Sequence, residues 1–295
     1  MLSHAALCCL AAKKAKDADF SPDVSQRILR YGAPVGSSYR HYQQLPRCMD
    51  LLRREVRNQT APPPVTGQVV RADRLTGSSG RFDRYWHAPV GGLYLALLWA
   101  DTLLPDFSRL LPFAAGIACC ETVREFILAA RLQWVNDVRI LGKKICGILS
   151  ETVAGAGGEQ FHLIGIGINA NIPEFPAELA PVATSFYLET GAKVDLDQLC
   201  ALLLARLQWN IGLLYYSEEQ FLAGTAGEES LLLRRWRQLS DTLGRSVTYG
   251  YDVQTRPLYR ARALEIDTGG GLVMQLTDGS IITEYSGEII YNRDD

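Results

Sequence analysis

The chain has 295 residues, enough for one large and one small domain around a proper core. Apolar residues make up 47% and charged residues 21%, which is soluble-globular composition and excludes a disordered chain. A formal net charge of -2 removes any global electrostatic case for a nucleic-acid partner, so an anion site has to be local. Seven cysteines, with adjacent pairs Cys8-Cys9 and Cys119-Cys120 and no C-x-x-C spacing, do not form a disulfide framework. The expectation is a reducing, cytoplasmic compartment with mostly buried thiols. His4, His41, His87 and His162 are too scattered for a metal site.

Leu2 to Ala12 is apolar but too short to span a bilayer, and Lys13, Lys14 and Lys16 follow it rather than precede it as in a signal peptide. It reads as a small helix or frayed end, and no membrane partner is expected. Residues 1–36 read as an extension ending at Tyr31-Gly32-Ala33-Pro34. A helix is predicted from Arg47 to Val56 with Met49, Leu52 and Val56 on one face. Ala61-Pro62-Pro63-Pro64 forces an extended connection, a strand begins at Val69-Val70, and a Gly/Ser/Arg-rich segment runs from Thr76 to Arg84. Leu93–Trp99 is an apolar run of strand length. Pro112 suits the first turn of a helix with Phe113, Ile117, Cys120, Val123 and Ile127 inward. Two strands, Leu132–Ile140 and Lys144–Glu151, are joined by a turn, and Leu163–Asn169 is another strand. A helix starts at Asp195, with Gln198 placed for a capping box and Leu196, Leu199, Leu203 and Leu207 as its stripe. After Trp236 the period changes to two, through Val247, Tyr249, Tyr251 and Val253. Five short strands are expected there, as a small barrel.

Gly165-Ile166-Gly167-Ile168-Asn169-Ala170 fits the dinucleotide pattern G-x-G-x-x-A, but Pro173 and Pro176 follow too closely for the helix that pattern requires. As a strand it points Ile164, Ile166 and Ile168 one way and leaves the other face bare at Gly165 and Gly167. Such a face suits either a close ligand or a tightly packed helix. The segment Gly77–Trp86 is flexible and cationic; it can wrap a phosphate or stay a solvated loop. Asn136 and Asp137 leave one strand as Lys144 begins the next. A carboxylate, a carboxamide and an ammonium thus meet at one end of a sheet, which suits ATP-dependent activation of a carboxylate. The bland reading is a surface ion pair at a polar hairpin tip.

Together these segments resemble the biotin protein ligase family over roughly residues 41 to 293. The family's Lys-Trp-Pro-Asn-Asp corresponds to Gln133–Asp137, its Lys-Leu-Ala-Gly-Ile-Leu to Lys144–Leu149, its Gly-Ile-Gly-Ile-Asn-x-Asn to Gly165–Asn171, and its Ala-Thr-Ser-Leu to Ala183–Phe186. The sequence departs at several points. The biotin-binding Ser-Thr falls on Arg47-Cys48, and a usual glutamine is Leu75. The adenylate loop keeps Gly80, Arg81, Arg84 and Trp86 but gains Asp83. Gln133 stands for lysine and Val135 for proline.

The resemblance implies an α+β fold: a mixed β-sheet core flanked by helices, like class II aminoacyl-tRNA synthetases, with a C-terminal SH3-like β-barrel. The implied division is extension 1–36, catalytic domain 37–235 and SH3-like domain 236–295, without the helix-turn-helix of the repressor-type members. It implies ATP and Mg2+, biotin as substrate, biotinyl-5'-AMP as intermediate, and a carboxylase's biotin carrier domain as acceptor; monomer or homodimer stays open. Lys144 and Arg81 are then catalytic, with Arg84 also on the phosphate, and Asp137 serves magnesium. Arg47, Cys48, Leu75, Gly80, Trp86, Asn136, Gly147, Gly165, Gly167 and Asn169 line the biotin and adenylate site. Two alternatives are a same-fold ligase for another acid, such as lipoate, and an inactive carrier-binding member.

Overall fold

Why Leu93–Trp99 is apolar at every position becomes clear in the computed structural model, which describes residues 10–11, 20–58, 64–135, 137–227 and 229–292. The strand, β3 (Leu93–Ala100), is central in a seven-stranded sheet with a separate core on each face. Leu93, Leu95, Leu97 and Trp99 enter one core, and Ala96 and Leu98 enter the other. The other strands are β1 (Ser38–Leu45), β2 (Gln68–Leu75), β4 (Arg131–Gln133), β5 (Asp137–Ile140), β6 (Lys143–Ala154) and β7 (Gln160–Ile168). Their order is β1-β2-β3-β7-β6-β5-β4. Only β1 and β2 pair in parallel, so the sheet is mixed, as expected.

The larger core lies under helices α1 (Pro22–Gly32), α4 (Leu111–Arg124), α6 (Leu196–Leu222) and α7 (Leu231–Leu239). Short helices α3 (Pro105–Ser108) and α5 (Phe186–Thr190) complete that layer. Phe113, Ile117, Cys120 and Val123 of α4 are buried as expected, and so are all the other residues from 113 to 123, because α4 is enclosed by β4–β6, α6 and α7. It also stops at Arg124, whose guanidinium donates to the carbonyls of Leu128 and Ala130, so Ile127 lies in the following turn. Helix α6 starts where expected, with Asp195 Oδ1 accepting from the amides of Asp197 and Gln198 at 2.8 and 3.0 Å. By length and composition it could cross a membrane, but 83% of its most apolar window is buried, so it is a core helix. Its Gly212 and Gly32 of α1 let the two backbones touch; a side chain at either would collide with the partner's main chain.

The opposite face is only half covered. Helix α2 (Cys48–Asn58) lays Cys48, Met49, Leu52 and Val56 on Val70, Ala72, Leu98 and Leu163. Beyond its N-terminus the sheet is bare where β6 and β7 carry glycines.

The C-terminal strands β8 (Ser246–Gly250), β9 (Tyr259–Ile266), β10 (Leu272–Leu276), β11 (Ile281–Glu284) and β12 (Glu288–Tyr291) are the five expected. They pair antiparallel in the order β11-β10-β9-β8-β12. The SH3-like element is thus a five-stranded sheet in which no ladder joins β11 to β12 among the described residues. The alternation expected to reach Val253 stops at Gly250, where residues 251–255 turn back. This sheet rests on the main core through Trp134 Nε1, which donates to the Gly270 carbonyl at 3.2 Å, and Gln133 Nε2, which donates to Ile289 O at 2.7 Å.

Candidate functional site

The strand expected from Leu132 to Ile140 is broken. Gln133 and Asp137 are ladder partners, so the chain turns between them and β4 pairs with β5. Asp137 therefore begins a strand rather than leaving one. Asn136 lies outside the described residues.

A bulge decides where Lys144 points. Val138 pairs with Cys146 and Arg139 with Lys144, so Ile145 is the extra residue. Ile145 and Cys146 are both fully buried in the larger core. Strict alternation would have sent Lys144 into that core with Cys146; the bulge turns it to the bare face, beside Gly147. Its backbone is braced there. Lys144 N donates to Val182 O at 2.8 Å and Thr184 N donates to Lys144 O at 3.0 Å, while Asn169 Nδ2 donates to Thr184 O at 3.0 Å. The Ala183-Thr184-Ser185 segment and Asn169 thus act on Lys144 through the main chain, and Ser185 also caps α5.

Lys144 Nζ lies 2.6 Å from Asp137 Oδ1, and Arg139 Nη2 is 3.6 Å from Asp137 Oδ2. Burial pushes the Asp137 carboxyl up, but Lys144, Arg139 and Arg81 together hold it below the usual carboxylate range. It is ionised at neutral pH. Magnesium in nucleotide sites needs one or two carboxylates plus substrate phosphates. Asp137 fits that requirement; bound there, the ion would neutralise phosphate charge.

The bare face forms a trough. Gly147 and Gly167 are cross-strand partners, and Leu149 faces Gly165. A Cβ on Gly167 would lie 2.8 Å from Trp86 Nε1, one on Gly165 2.5 Å from Met49 Sδ, and one on Gly147 3.0 Å from the Trp86 ring. Glycine is required here by close approach from above, not by backbone angles. A cavity of about 90 Å³ remains, with Arg47, Cys48, Met49 and Leu75 at one end, Trp86 and Gly80 above, and Lys144 at the other end. Trp86 and Lys144 also line a larger outer cavity of about 440 Å³. Its walls include Arg81, Arg84, Asp137, Arg139 and Asn169, and, from the C-terminal sheet, Gln254, Gly287 and Glu288.

The cationic loop is folded back on itself. Ser78 Oγ donates to Trp86 O at 2.6 Å, and Gly80 N donates to Arg84 O at 2.8 Å. Both arginines are held from the far end of the chain: Arg81 Nη1 donates to Gly287 O at 2.7 Å, and Arg84 pairs with Glu288 and, at 3.7 Å, with Asp252. Sequence reasoning missed these partners, and Met49, Tyr94 and Arg139 as well. Of the expected residues, Arg47 is drawn toward Glu151 at 3.6 Å and Asp50 at 4.0 Å. Cys48 is buried with Sγ 3.8 Å from Tyr94 O, and burial pushes its thiol up to about 12. Asn169 reaches the outer cavity rather than the glycine trough.

A mixed sheet bearing a glycine-floored trough, with an Asp–Lys pair at its mouth and a cationic loop over it, defines a small-ligand site suited to activating a carboxylate with a nucleotide. The sequence matches the Biotin/lipoate A/B protein ligase family over residues 50–171, which include the trough's glycine floor, the loop and the Asp–Lys hairpin but not Arg47, Cys48 and Met49 at the trough's end. Among curated proteins, the bifunctional ligase/repressor BirA of Bacillus spizizenii is 34% identical over 178 residues, covering 58% of this chain and 54% of that protein. The biotin–[acetyl-CoA-carboxylase] ligase of Paracoccus denitrificans is 36% identical over 154 residues, covering 48% and 62%. The chain thus spans about half the length of the curated relatives it matches first. The fold is that of the biotin protein ligase from Aquifex aeolicus solved with biotin and ATP: TM-score 0.69 at 24% identity, covering 87% of this chain and 99% of that one. In sequence and in fold the chain is thus similar to biotin protein ligases.

Proposed function

We propose that the protein is an ATP-dependent biotin protein ligase. The observation that carries this reading is the glycine trough ending at Lys144 and Asp137, directly beside an arginine-rich outer cavity. In the first step, a biotin carboxylate oxygen in the trough attacks the α-phosphorus of ATP; the bond to pyrophosphate breaks and biotinyl-5'-AMP forms. In the second, a lysine amine of a carboxylase's biotin carrier domain attacks the acyl carbonyl and releases AMP. Lys144 offsets negative charge on the carboxylate and α-phosphate in both steps. Arg81 and Arg84 hold phosphate once released from Gly287 and Glu288, and Trp86 covers the ligand. A reducing, cytosolic setting accords with the five cysteines at 48, 119, 120, 146 and 200, all buried and free among the described residues.

The direct test is pyrophosphate release with biotin, and separately with lipoate, followed by labelling of a biotin carrier domain. Release with biotin and labelling of the carrier are expected; release with lipoate alone would sink the reading. Biotin should bind about tenfold more weakly than to a site with hydroxyls at 47 and 48, because Arg47 and Cys48 offer the ureido group no hydroxyl. Each lost hydrogen bond costs about 0.5–1.5 kcal/mol, and about 1.4 kcal/mol is one decade. Calorimetry on the wild type and Arg47→Ser/Cys48→Thr checks this: affinity that does not rise in the double variant refutes it. Ser78–Trp86 amides should exchange more slowly once biotin and ATP are both present, since the loop's arginines must exchange carboxylate for phosphate partners. Unchanged exchange would count against the loop's role.

A further inference from the structure

One cation at the outer cavity has no role in the reading above. Arg139, the third residue of β5, lines the same wall as Asp137 and Lys144, and its side chain is 27% exposed, so a ligand can reach it. The neighbouring cations are already engaged: Arg81 and Arg84 on the C-terminal sheet, Lys144 on Asp137. Arg139 is tethered more lightly. Its Nη1 donates to Gly142 O at 2.8 Å, and Nη2 stands 3.6 Å from the carboxylate that Lys144 approaches at 2.6 Å. Its Nε is buried without a hydrogen-bond partner, as is Arg84 Nε across the cavity. Those two atoms are closed off, so the group that can meet an anion at this wall is Arg139 Nη2, whose contact to Asp137 is the long one of 3.6 Å. The strand pairing adds a second observation. Where the resemblance sets a lysine, β4 carries Gln133, whose amide is spent on Ile289 O, and the cation at this wall comes instead from β5.

We propose that Arg139 binds the polyphosphate end of the nucleoside triphosphate, and the pyrophosphate it becomes. This rests on the adenylation reading. Its planar outer edge, Nη1 and Nη2, can meet phosphate oxygens once Nη1 leaves the Gly142 carbonyl, a geometry lysine does not offer. The competing role is structural, a brace for the β5–β6 turn through the Gly142 carbonyl.

Calorimetry on the full chain with inorganic pyrophosphate, ATP and biotin, for wild type, Arg139→Gln and Arg139→Lys, separates the two. Arg139→Gln is expected to weaken pyrophosphate and ATP binding by about tenfold, with biotin affinity and melting temperature unchanged. Arg139→Lys should restore part of the loss. Pyrophosphate affinity unchanged in Arg139→Gln overturns the proposal, and so does a wild type that binds neither pyrophosphate nor ATP. A parallel loss of biotin affinity with a lower melting temperature assigns Arg139 to the turn and also overturns it. The adenylation reading fails on a separate measurement, the absence of pyrophosphate release from biotin and ATP, so the two failures are told apart.

Discussion

Replacing Lys144 with alanine is expected to slow adenylate formation by on the order of 100-fold or more while leaving the chain folded and biotin bound. A preorganised charge aimed at a reacting centre has typically this effect when removed. The structure explains why the fold should survive. The Lys144 backbone is fixed by main-chain bonds to Val182 and Thr184, which alanine keeps, and the bulge that orients it depends on the burial of Ile145 and Cys146. What disappears is the ammonium 2.6 Å from Asp137. Arg139 remains near that carboxylate but at 3.6 Å and from the β5 side, so it cannot take over at the trough's mouth. Arginine at 144 should not rescue, since its longer planar head would have to fit between Trp86 and Asp137. Single-turnover formation of biotinyl-5'-AMP, with melting temperature and biotin affinity as controls, is the measurement. Turnover within a few-fold of wild type would remove Lys144 from the reaction.

How much of this could be read from sequence follows from the range of the interactions. The bare strand face at Gly165 and Gly167 was legible because period-two alternation is local, and the Asp137–Lys144 contact because a short hairpin joins the two. The break at Trp134 was not, since Leu132–Ile140 has no proline or glycine and the turn depends on Trp134 and Gln133 anchoring to Gly270 and Ile289. Arg81 and Arg84 read correctly as a cationic loop, yet their partners Gly287 and Glu288 lie 206 and 204 residues away, where no local pattern reaches. Helices α4 and α6 are buried well beyond the stripes legible in sequence. A one-sided apolar stripe presumes solvent on the other side, and both helices are wrapped by neighbours that only the tertiary fold supplies.

Filling the trough should separate binding from folding even more cleanly than removing the charge. Gly167→Val puts three carbons on the bare face of β7, opposite Gly147, in a cavity of about 90 Å³. The first of these already lies 2.8–3.0 Å from the Trp86 ring, so the ring has to move off the trough or the strand has to give. Forcing methyl groups into a packed site costs about 1–3 kcal/mol; in the free protein the Trp86 ring can relieve it by moving outward, whereas with the acid bound valine and acid compete for the same volume. The expected loss of biotin affinity is therefore roughly tenfold for Gly167→Ala and on the order of 100-fold for Gly167→Val. The fold itself should tolerate both. Ile166 and Ile168 keep their places in the larger core, and a β-branched residue suits a strand better than glycine does. Nucleotide binding reports on the outer cavity, which Gly167 does not line and which Trp86 shares with the trough, so affinity for a non-hydrolysable ATP analogue should fall by much less than biotin affinity does. Titrations of biotin and of the analogue into each variant, with melting temperatures alongside, decide the matter. Biotin affinity in Gly167→Val within twofold of wild type would mean that the acid lies elsewhere, and the glycines would then be there only to seat Trp86.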